Sequence, residues 1–174
     1  MRRGLALALT VLLGCGYRFS AAGGPLPKGA VSVEVPNFRN RTPEAGFEAV
    51  LTHEIRQELE RGGHGAGGPA DARLDGVVES IGSGPLALKS APALGASPSA
   101  GLGPANPGLY QAAVTVSVKL RHGAELLAQV DHLTLTEPYL PADDLATNEA
   151  NRRLALRRLA RALAKEIVAR LEAE

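Results

Sequence analysis

Apolar and polar residues alternate along three parts of this chain and recur every three or four positions along two others. The alternating parts are residues 31–35, 71–81 and 109–136, where a period of two indicates strands with one buried face. Residues 47–59 and 147–171 have the spacing of amphipathic helices. Because a turn divides the third alternating part, the predicted order is strand, helix, three strands and helix.

This order predicts an α+β fold, a two-layer sandwich in which two helices pack on one face of a four-stranded mixed sheet. The first two strands are joined through a helix, which favours a parallel pair with a right-handed crossover. The last two strands are joined by the turn at residues 121–125 and are predicted to be antiparallel. Because both helices cover the same face, the opposite face of the sheet is predicted to be partly free.

The clearest strand runs from Leu109 to Leu120, where apolar residues occupy every second position. Its predicted buried face carries Tyr110, Ala112, Val114, Val116, Val118 and Leu120. Its predicted wet face carries Gln111, Ala113, Thr115, Ser117 and Lys119. In the strand before it, the same alternation places on one face Ala72, Leu74, Gly76 and Val78.

Both helices have recognisable start signals and apolar stripes. Thr42 and Pro43 are predicted to start the first helix, because threonine caps free N–H groups and proline fits the first turn. Its stripe comprises Phe47, Leu51, Ile55 and Leu59, and it ends at Gly62 and Gly63. The second helix is predicted from Thr147, with the stripe Leu156, Leu159, Leu163, Ile167 and Leu171. Asp143 and Asp144 precede it, which favours N-capping over paired carboxylates for acid–base chemistry.

Residues 82–108 differ in kind from the segments on either side. They are composed almost entirely of Gly, Ala, Pro and Ser, with only a few scattered leucines. Such a segment buries too little apolar surface to offset the entropy of ordering it. We predict a long mobile loop here, with a self-folded element as the less favoured alternative.

The N-terminus has the pattern of a bacterial export signal. Arg2 and Arg3 precede an apolar run that is too short to span a bilayer, and Leu12-Leu13-Gly14-Cys15 resembles a lipoprotein lipobox. The resemblance implies a signal peptide over residues 1–14, a covalent acyl lipid on Cys15 and no other cofactor. It also implies a lipidated tether over residues 15–30, and Gly16 after the cysteine suggests export to the outer membrane. The alternative is an unmodified cysteine after an ordinary signal.

The chain length, net charge and cysteine count exclude several classes of function. The 174 residues suffice for one domain, predicted over residues 31–174. The net charge is +1, from 19 basic and 18 acidic residues, and removal of the two arginines of the signal leaves 17 against 18, or −1. A global charge of this size does not point to a nucleic-acid partner. A single cysteine excludes an intramolecular disulfide framework.

No residue pattern indicates catalysis or metal binding. His53-Glu54 begins like a zinc-protease helix, but Gln57 stands where the second histidine ligand is needed. No nucleophile has a neighbouring base, and we predict neither an enzyme nor a metal site. Lys119 and Arg121 end the clearest strand, where they are suited to an anionic ligand or, alternatively, protect an exposed strand end. A further basic stripe, interpreted as the solvated side of the last helix, comprises Arg157, Arg158, Arg161 and Lys165.

Several segments in this order resemble the LPS-assembly lipoprotein family LptE. They are Cys15-Gly16-Tyr17-Arg18-Phe19, the run Val33-Glu34-Val35-Pro36-Asn37-Phe38-Arg39-Asn40-Arg41-Thr42, residues 51–59, and Asn148-Glu149-Ala150-Asn151-Arg152-Arg153-Leu154-Ala155-Leu156. The resemblance covers almost the whole chain after Cys15. It implies the same two-layer fold of two helices on a four-stranded sheet.

The resemblance also implies a function. Family members plug a large outer-membrane β-barrel LPS-assembly protein (LptD-like), help it to assemble, and bind LPS on its way to the cell surface. We therefore expect a lipid-anchored protein on the periplasmic side of the outer membrane. Family members contact LPS through basic side chains, and by this resemblance Lys119 and Arg121 are the candidate LPS contacts of this chain. The rival hypothesis is a periplasm-facing ligand carrier or adaptor lipoprotein that acts without a barrel partner.

Overall fold

The structure is a computed structural model that describes residues 24–65, 69–86 and 108–173. The predicted signal peptide, Cys15 and most of the tether lie outside the described residues, as do residues 87–107 of the predicted loop. The elements in chain order are β1 (Val33–Glu34), β2 (Arg39–Asn40), α1 (Phe47–Arg61), β3 (Ala72–Pro85), β4 (Tyr110–His122), β5 (Glu125–Tyr139) and α2 (Leu145–Ala173).

The predicted fold class is confirmed, with five strands in place of four. The sheet order is β1-β3-β4-β5, and β2 pairs with β3 further along the same edge. β1 and β2 run parallel to β3, whereas β3, β4 and β5 are antiparallel neighbours. The strand predicted at residues 31–35 is shorter and is followed by a second one, because Pro36 lacks an N–H for a continuous ladder.

β3 extends further than its alternation predicts. Residues 82–85, predicted as the start of the loop, continue the ladder to β4, and Pro85 stands opposite Tyr110. Glycine, serine and proline have low strand preference, but pairing with a well-formed neighbour overrides that preference. Pro85 ends the strand, which is where a residue without an N–H is tolerated.

The hydrophobic core lies between the sheet and the two helices. The predicted inward faces of β3 and β4 and the predicted stripes of α1 and α2 are buried there, except for Tyr110 at the start of β4, which is partly buried and packs against the core. Phe38, which follows β1, joins this core and packs directly against Gly76 of β3, where a Cβ atom would overlap its ring. One continuous core therefore holds both helices on one face of the sheet.

The helix starts differ from their predictions. α1 begins at Phe47, with Gly46 in the left-handed region at φ 91°, so Thr42 does not cap it. Thr42 is engaged locally instead, because its N–H and its hydroxyl both bond Oδ1 of Asn40. α2 begins at Leu145, two residues before the predicted start.

Asp144 caps α2 as expected for a carboxylate at a helix N-terminus. Its Oδ2 accepts the N–H of Thr147 at 2.8 Å, and hydrogen bonding to Thr147 lowers the pKa of Asp144 below its usual value. The capping role that the sequence favoured for this residue is confirmed. The carboxylate of Asp144 is therefore engaged in capping α2.

Candidate functional site

The face of the sheet turned away from the helices holds a polar groove of about 670 Å³, which we call the open-face groove. It is lined by Pro36, Asn37, Arg39, Arg41, Arg73, Asp75, Gly76, Val77, Glu79, Ser117, Lys119, Arg121, Asp131 and His132. These residues come from β2 and its flanks and from β3, β4 and β5. Four other cavities in the described part of the chain are smaller, at about 270–420 Å³.

Both basic residues singled out from the sequence lie in the open-face groove. Lys119 and Arg121 project from the wet side of β4, two positions apart, as strand geometry requires. Arg39 and Arg41 reach the same groove from the β2 side. Among the described residues, none of these four cations forms an ion pair or a side-chain hydrogen bond.

Arg39 and Arg41 were not predicted as site residues, yet a local signal was present. Phe38 and Asn40 are directed toward the helices, and Arg39 and Arg41 alternate with them on the open side. This is the period of two expected of a strand. Thr42 and Pro43 resemble a capping sequence, and this resemblance favours a helix start over a strand in this segment.

The fifth cation of the groove, Arg73, is neutralised by its neighbours. Its Nε lies 3.1 Å from Asp75 and its Nη1 lies 3.5 Å from Glu34, and bonding to Asp75 raises the pKa of Arg73. Arg73 stands directly opposite Arg121 in the β3–β4 ladder, where two like charges repel each other. The pairing with Asp75 and Glu34 offsets that repulsion and leaves Arg121 available.

Two bulges shape the floor of the groove. The β3–β4 register shifts between Val78 and Ser80, and the β4–β5 register shifts between Val116 and Val118. His132 lies at the second shift with φ 49°, a backbone conformation that is uncommon for residues other than glycine. Bulges of this kind re-aim a side chain out of the regular alternation.

The bulged residues meet over the middle strand. Ser117 of β4 donates to Glu79 at 2.7 Å and accepts the backbone N–H of His132 at 2.9 Å. Nδ1 of His132 lies 2.6 Å from the other carboxylate oxygen of Glu79. The bond from Ser117, then that from His132, lowers the pKa of Glu79, with Arg41 contributing. A carboxylate is thus fixed among the groove cations.

The side chains of the open-face groove are suited to binding an anionic ligand. Ser117 donates its hydroxyl hydrogen to a carboxylate, so the arrangement of a serine activated by a histidine is not formed here. In the described ranges 24–65, 69–86 and 108–173, no group of three or more His, Cys, Asp or Glu side chains could hold a metal ion. Arginine and lysine side chains with free donors are suited to phosphate and carboxylate groups.

Two other residues of the segments that resemble the family, Asn40 and Arg152, lie on the helix side of the sheet. Asn40 donates its amide hydrogens to the carbonyl of Glu44 and to the carboxylate of Glu48. Arg152 of α2 reaches across to Glu44 and also pairs with Glu149, and these bonds raise the pKa of Arg152. Asn40 thus fixes the β2–α1 connection, and Arg152 joins that connection to α2.

The basic stripe of α2 lies on the helix layer, away from the groove. Arg158 pairs with Glu137 of β5 at 3.4 Å, and Arg161 pairs with Glu54 of α1 at 3.1 Å. These contacts support its interpretation as a solvated helix face that is partly neutralised.

No helix in the described part of the chain combines the length and the apolar character needed to cross a bilayer.

Comparison with known proteins gives one family and a common fold. Residues 30–171 match the family model described as "LptE: Lipopolysaccharide-assembly". The rare lipoprotein B from Shewanella oneidensis has a similar structure, with a TM-score of 0.50 and 13% identity, over 78% of this chain and 92% of that chain. Protein XCC0632 from Xanthomonas campestris also has a similar structure. Its TM-score is 0.53 and its sequence identity is 16%, over 85% of this chain and 88% of that chain. No curated protein sequence matches the chain.

Proposed function

Because the chain belongs to the lipopolysaccharide-assembly LptE family, we propose that it is a non-enzymatic, lipid-anchored plug and assembly factor for an LPS-translocating outer-membrane β-barrel. The single observation that carries this proposal beyond family membership is the open-face groove, with its four cations free of ion pairs among the described residues. The partners proposed are a large LptD-like barrel and LPS. The location proposed is the periplasmic side of the outer membrane.

The groove supports LPS contact through its donors. Arg39, Arg41, Lys119 and Arg121 present guanidinium and ammonium groups whose strongest partners are phosphate and carboxylate oxygens. The groove lies on an open sheet face, so a headgroup with several anionic groups can lie across the strands. Neighbouring strands are about 4.8 Å apart, so β2 and β4 are separated laterally by about 10 Å. The cations are also offset along the strands, because Arg39 pairs with Val77 of β3 whereas Lys119 pairs with Asp75.

The remaining wet surface is suited to a hydrated barrel lumen. Charged contacts persist in such a setting, because bridging water replaces direct hydrogen bonds at little cost. A carrier that works without a barrel would enclose its ligand in an apolar cavity. The open-face groove is polar and open, which favours the plug over the carrier.

We propose that the anchor is an acyl lipid on Cys15. The described chain begins at Gly24, nine residues after this cysteine, so the linking segment spans at most about 30 Å when extended. Two or three acyl chains bind a membrane stably, since each buried methylene contributes about 0.8 kcal/mol. The substitution Cys15→Ala should leave an uncleaved or mislocalised protein, and normal outer-membrane fractionation of that variant would contradict the anchor.

The groove is tested by charge reversal with a matched control. Tagged protein is isolated from outer membranes in mild detergent, and co-isolated LPS and β-barrel are quantified by gel and mass spectrometry. Lys119→Glu/Arg121→Glu should lower LPS recovery about tenfold or more, the loss of two charge-assisted contacts, while the barrel is retained. Arg157→Glu/Lys165→Glu makes the same charge change on the helix layer and should leave LPS unchanged.

Three other outcomes decide between the hypotheses. Equal LPS recovery in both double variants would remove Lys119 and Arg121 from the binding site. Recovery of the protein without any barrel, in several detergents, would favour the carrier or adaptor. Circular dichroism of both double variants should match the parent, because the four substituted side chains lie outside the core.

A further inference from the structure

The open-face groove combines basic side chains with carboxylates on one surface. Its lining includes five arginine and lysine side chains and three carboxylates: Asp75, Glu79 and Asp131. A carboxylate repels an anion, so these acids weaken the binding of a plain phosphate group. The groove is therefore a mixed surface, and its carboxylates need an account of their own.

The three carboxylates differ in what holds them. Asp75 and Asp131 contact neighbours on their own strands, Arg73 and Gln129 respectively. Glu79 is held from two other strands. Among the described residues, it forms no ion pair with an arginine or a lysine, so its charge is left for a ligand.

Ser117 and His132 hold the carboxylate of Glu79 in one orientation. The hydroxyl of Ser117 donates to Oε1 at 2.7 Å, and Nδ1 of His132 donates to Oε2 at 2.6 Å. A carboxylate offers about four acceptor positions, so each oxygen keeps one for a further donor. The side chain is 23% exposed and lines the groove, which presents its accessible part to a ligand there.

A cation stands beside this acceptor. Asn40 pairs with Val78, the neighbour of Glu79 in β3, and the N–H of Arg41 bonds the carbonyl of Val78 at 3.0 Å. The charge of Arg41 contributes to the lowered pKa of Glu79, after the bonds from Ser117 and His132. A guanidinium binds phosphate and a carboxylate accepts from hydroxyl groups, so the two side chains suit a ligand that carries both.

We infer that Glu79 is a specificity-determining residue of the open-face groove, which accepts a hydrogen bond from a hydroxyl group of the ligand while Arg41 and the neighbouring cations bind its phosphate. The ligand class is phosphorylated sugars, in preference to phosphate esters without hydroxyl groups. A site built to bond a hydroxyl rejects an analogue that lacks it, because the acceptor is left without its donor. The inference rests on the proposed function of the groove as an anion site.

Two charge-matched probes test this preference. Glucose 6-phosphate and ethyl phosphate are both phosphate monoesters, and only the first carries ring hydroxyls. Binding to the full chain, in micelles of a detergent without sugar or phosphate, is followed by the NMR shifts of the backbone amides of Lys119 and His132. We expect wild type to bind glucose 6-phosphate about tenfold more tightly, the contribution of one hydrogen bond to a charged group.

Glu79→Gln should change the two affinities in opposite directions. Glucose 6-phosphate should bind about threefold more weakly, because the bond loses its charge, and ethyl phosphate about twofold more tightly, because the repulsion is gone. Glu137→Gln makes the same charge change on the helix side, where Glu137 pairs with Arg158, and should leave both affinities unchanged. A merely structural role would weaken both probes alike, and that result would overturn the inference, as would an undiminished preference in Glu79→Gln.

A second variant separates the reach of the carboxylate from its charge, and it keeps the inference testable if Glu79→Gln does not fold. Glu79→Asp retains the charge and shortens the side chain by one methylene. The preference for glucose 6-phosphate should fall by threefold or more, while the affinity for ethyl phosphate stays at about the wild-type value. An unchanged preference in Glu79→Asp would contradict a carboxylate that is positioned to bond the ligand.

Failure of this inference is distinguishable from failure of the proposed function. Recovery of LPS with wild type and its loss in Lys119→Glu/Arg121→Glu would support the anion site, whatever the two probes show. Equal binding of the two probes by wild type, or binding of neither, would then overturn the role of Glu79 alone. Absence of both LPS and probe binding would overturn the role of Glu79 and of the groove together.

Discussion

The two faces of the sheet differ in burial and in charge. Toward the helices, β4 presents Ala112, Val114, Val116, Val118 and Leu120, all at most 1% exposed. Toward the open side, the residues between them line or flank the groove that holds Lys119 and Arg121. The comparison teaches that stability and candidate binding are carried by alternate residues of the same strands, so either can be changed with little direct effect on the other.

The largest loss of stability is expected on the helix-side face of β4, and two adjacent residues of this strand test the difference between the faces. Val116→Asp places a carboxylate in a fully buried position without a partner and should cost more than about 4 kcal/mol of unfolding free energy, or prevent folding. Thr115→Asp makes a similar change on the open face, where it removes one hydroxyl contact to Thr134, and should cost about 1 kcal/mol. Urea unfolding followed by circular dichroism measures both. Similar losses for the two variants would contradict the assignment of stability to the helix-side face of β4.

A smaller loss of stability is expected at Gly76, the position on the core face of β3 that has no side chain. Gly76→Ala would force its Cβ into the ring of Phe38 and should destabilise the protein by about 1–3 kcal/mol. Phe38→Leu makes room at that position. The double variant should therefore be more stable than the sum of the two single effects predicts. Strict additivity in urea unfolding would show that the two residues do not share the space.

The smallest effect is expected from a carboxylate on the open face. Because the pKa of Glu79 is lowered in the folded protein, its contribution is present above its unfolded value near 4.5 and is lost as the pH falls through the lower folded value. Wild type should lose slightly more stability than Glu79→Gln between pH 6 and pH 3, by less than about 1 kcal/mol. Unfolding midpoints in urea at the two pH values measure this. Equal losses would mean that Glu79 gains nothing from Ser117.

Much of the core face followed from local pattern, because alternation in a strand and four-residue spacing in a helix are set by backbone geometry. The stripe of α1 and the inward residues of β3 and β4 are buried as predicted, apart from the partly buried Tyr110. The start of α1 was not predictable in this way. Thr42 has the chemistry of a cap, but Asn40 engages it first.

The groove was predicted only in part. Lys119 and Arg121 share a strand, so their common side followed from the alternation of β4. Arg39 and Arg41 lie about eighty residues earlier and reach the groove only because β2 pairs in parallel with β3. The role of these four basic side chains in binding LPS stays a prediction.

The class of the fold, the buried faces of β3, β4, α1 and α2, and the family all follow from the amino-acid sequence. These properties depend on the period of apolar residues and on local motifs, which are written along the chain. The tertiary structure alone decided which distant residues meet, through the register and bulges that join Glu79, Ser117 and His132. Such meetings depend on strand pairing and helix packing across the whole chain, and no local period encodes them.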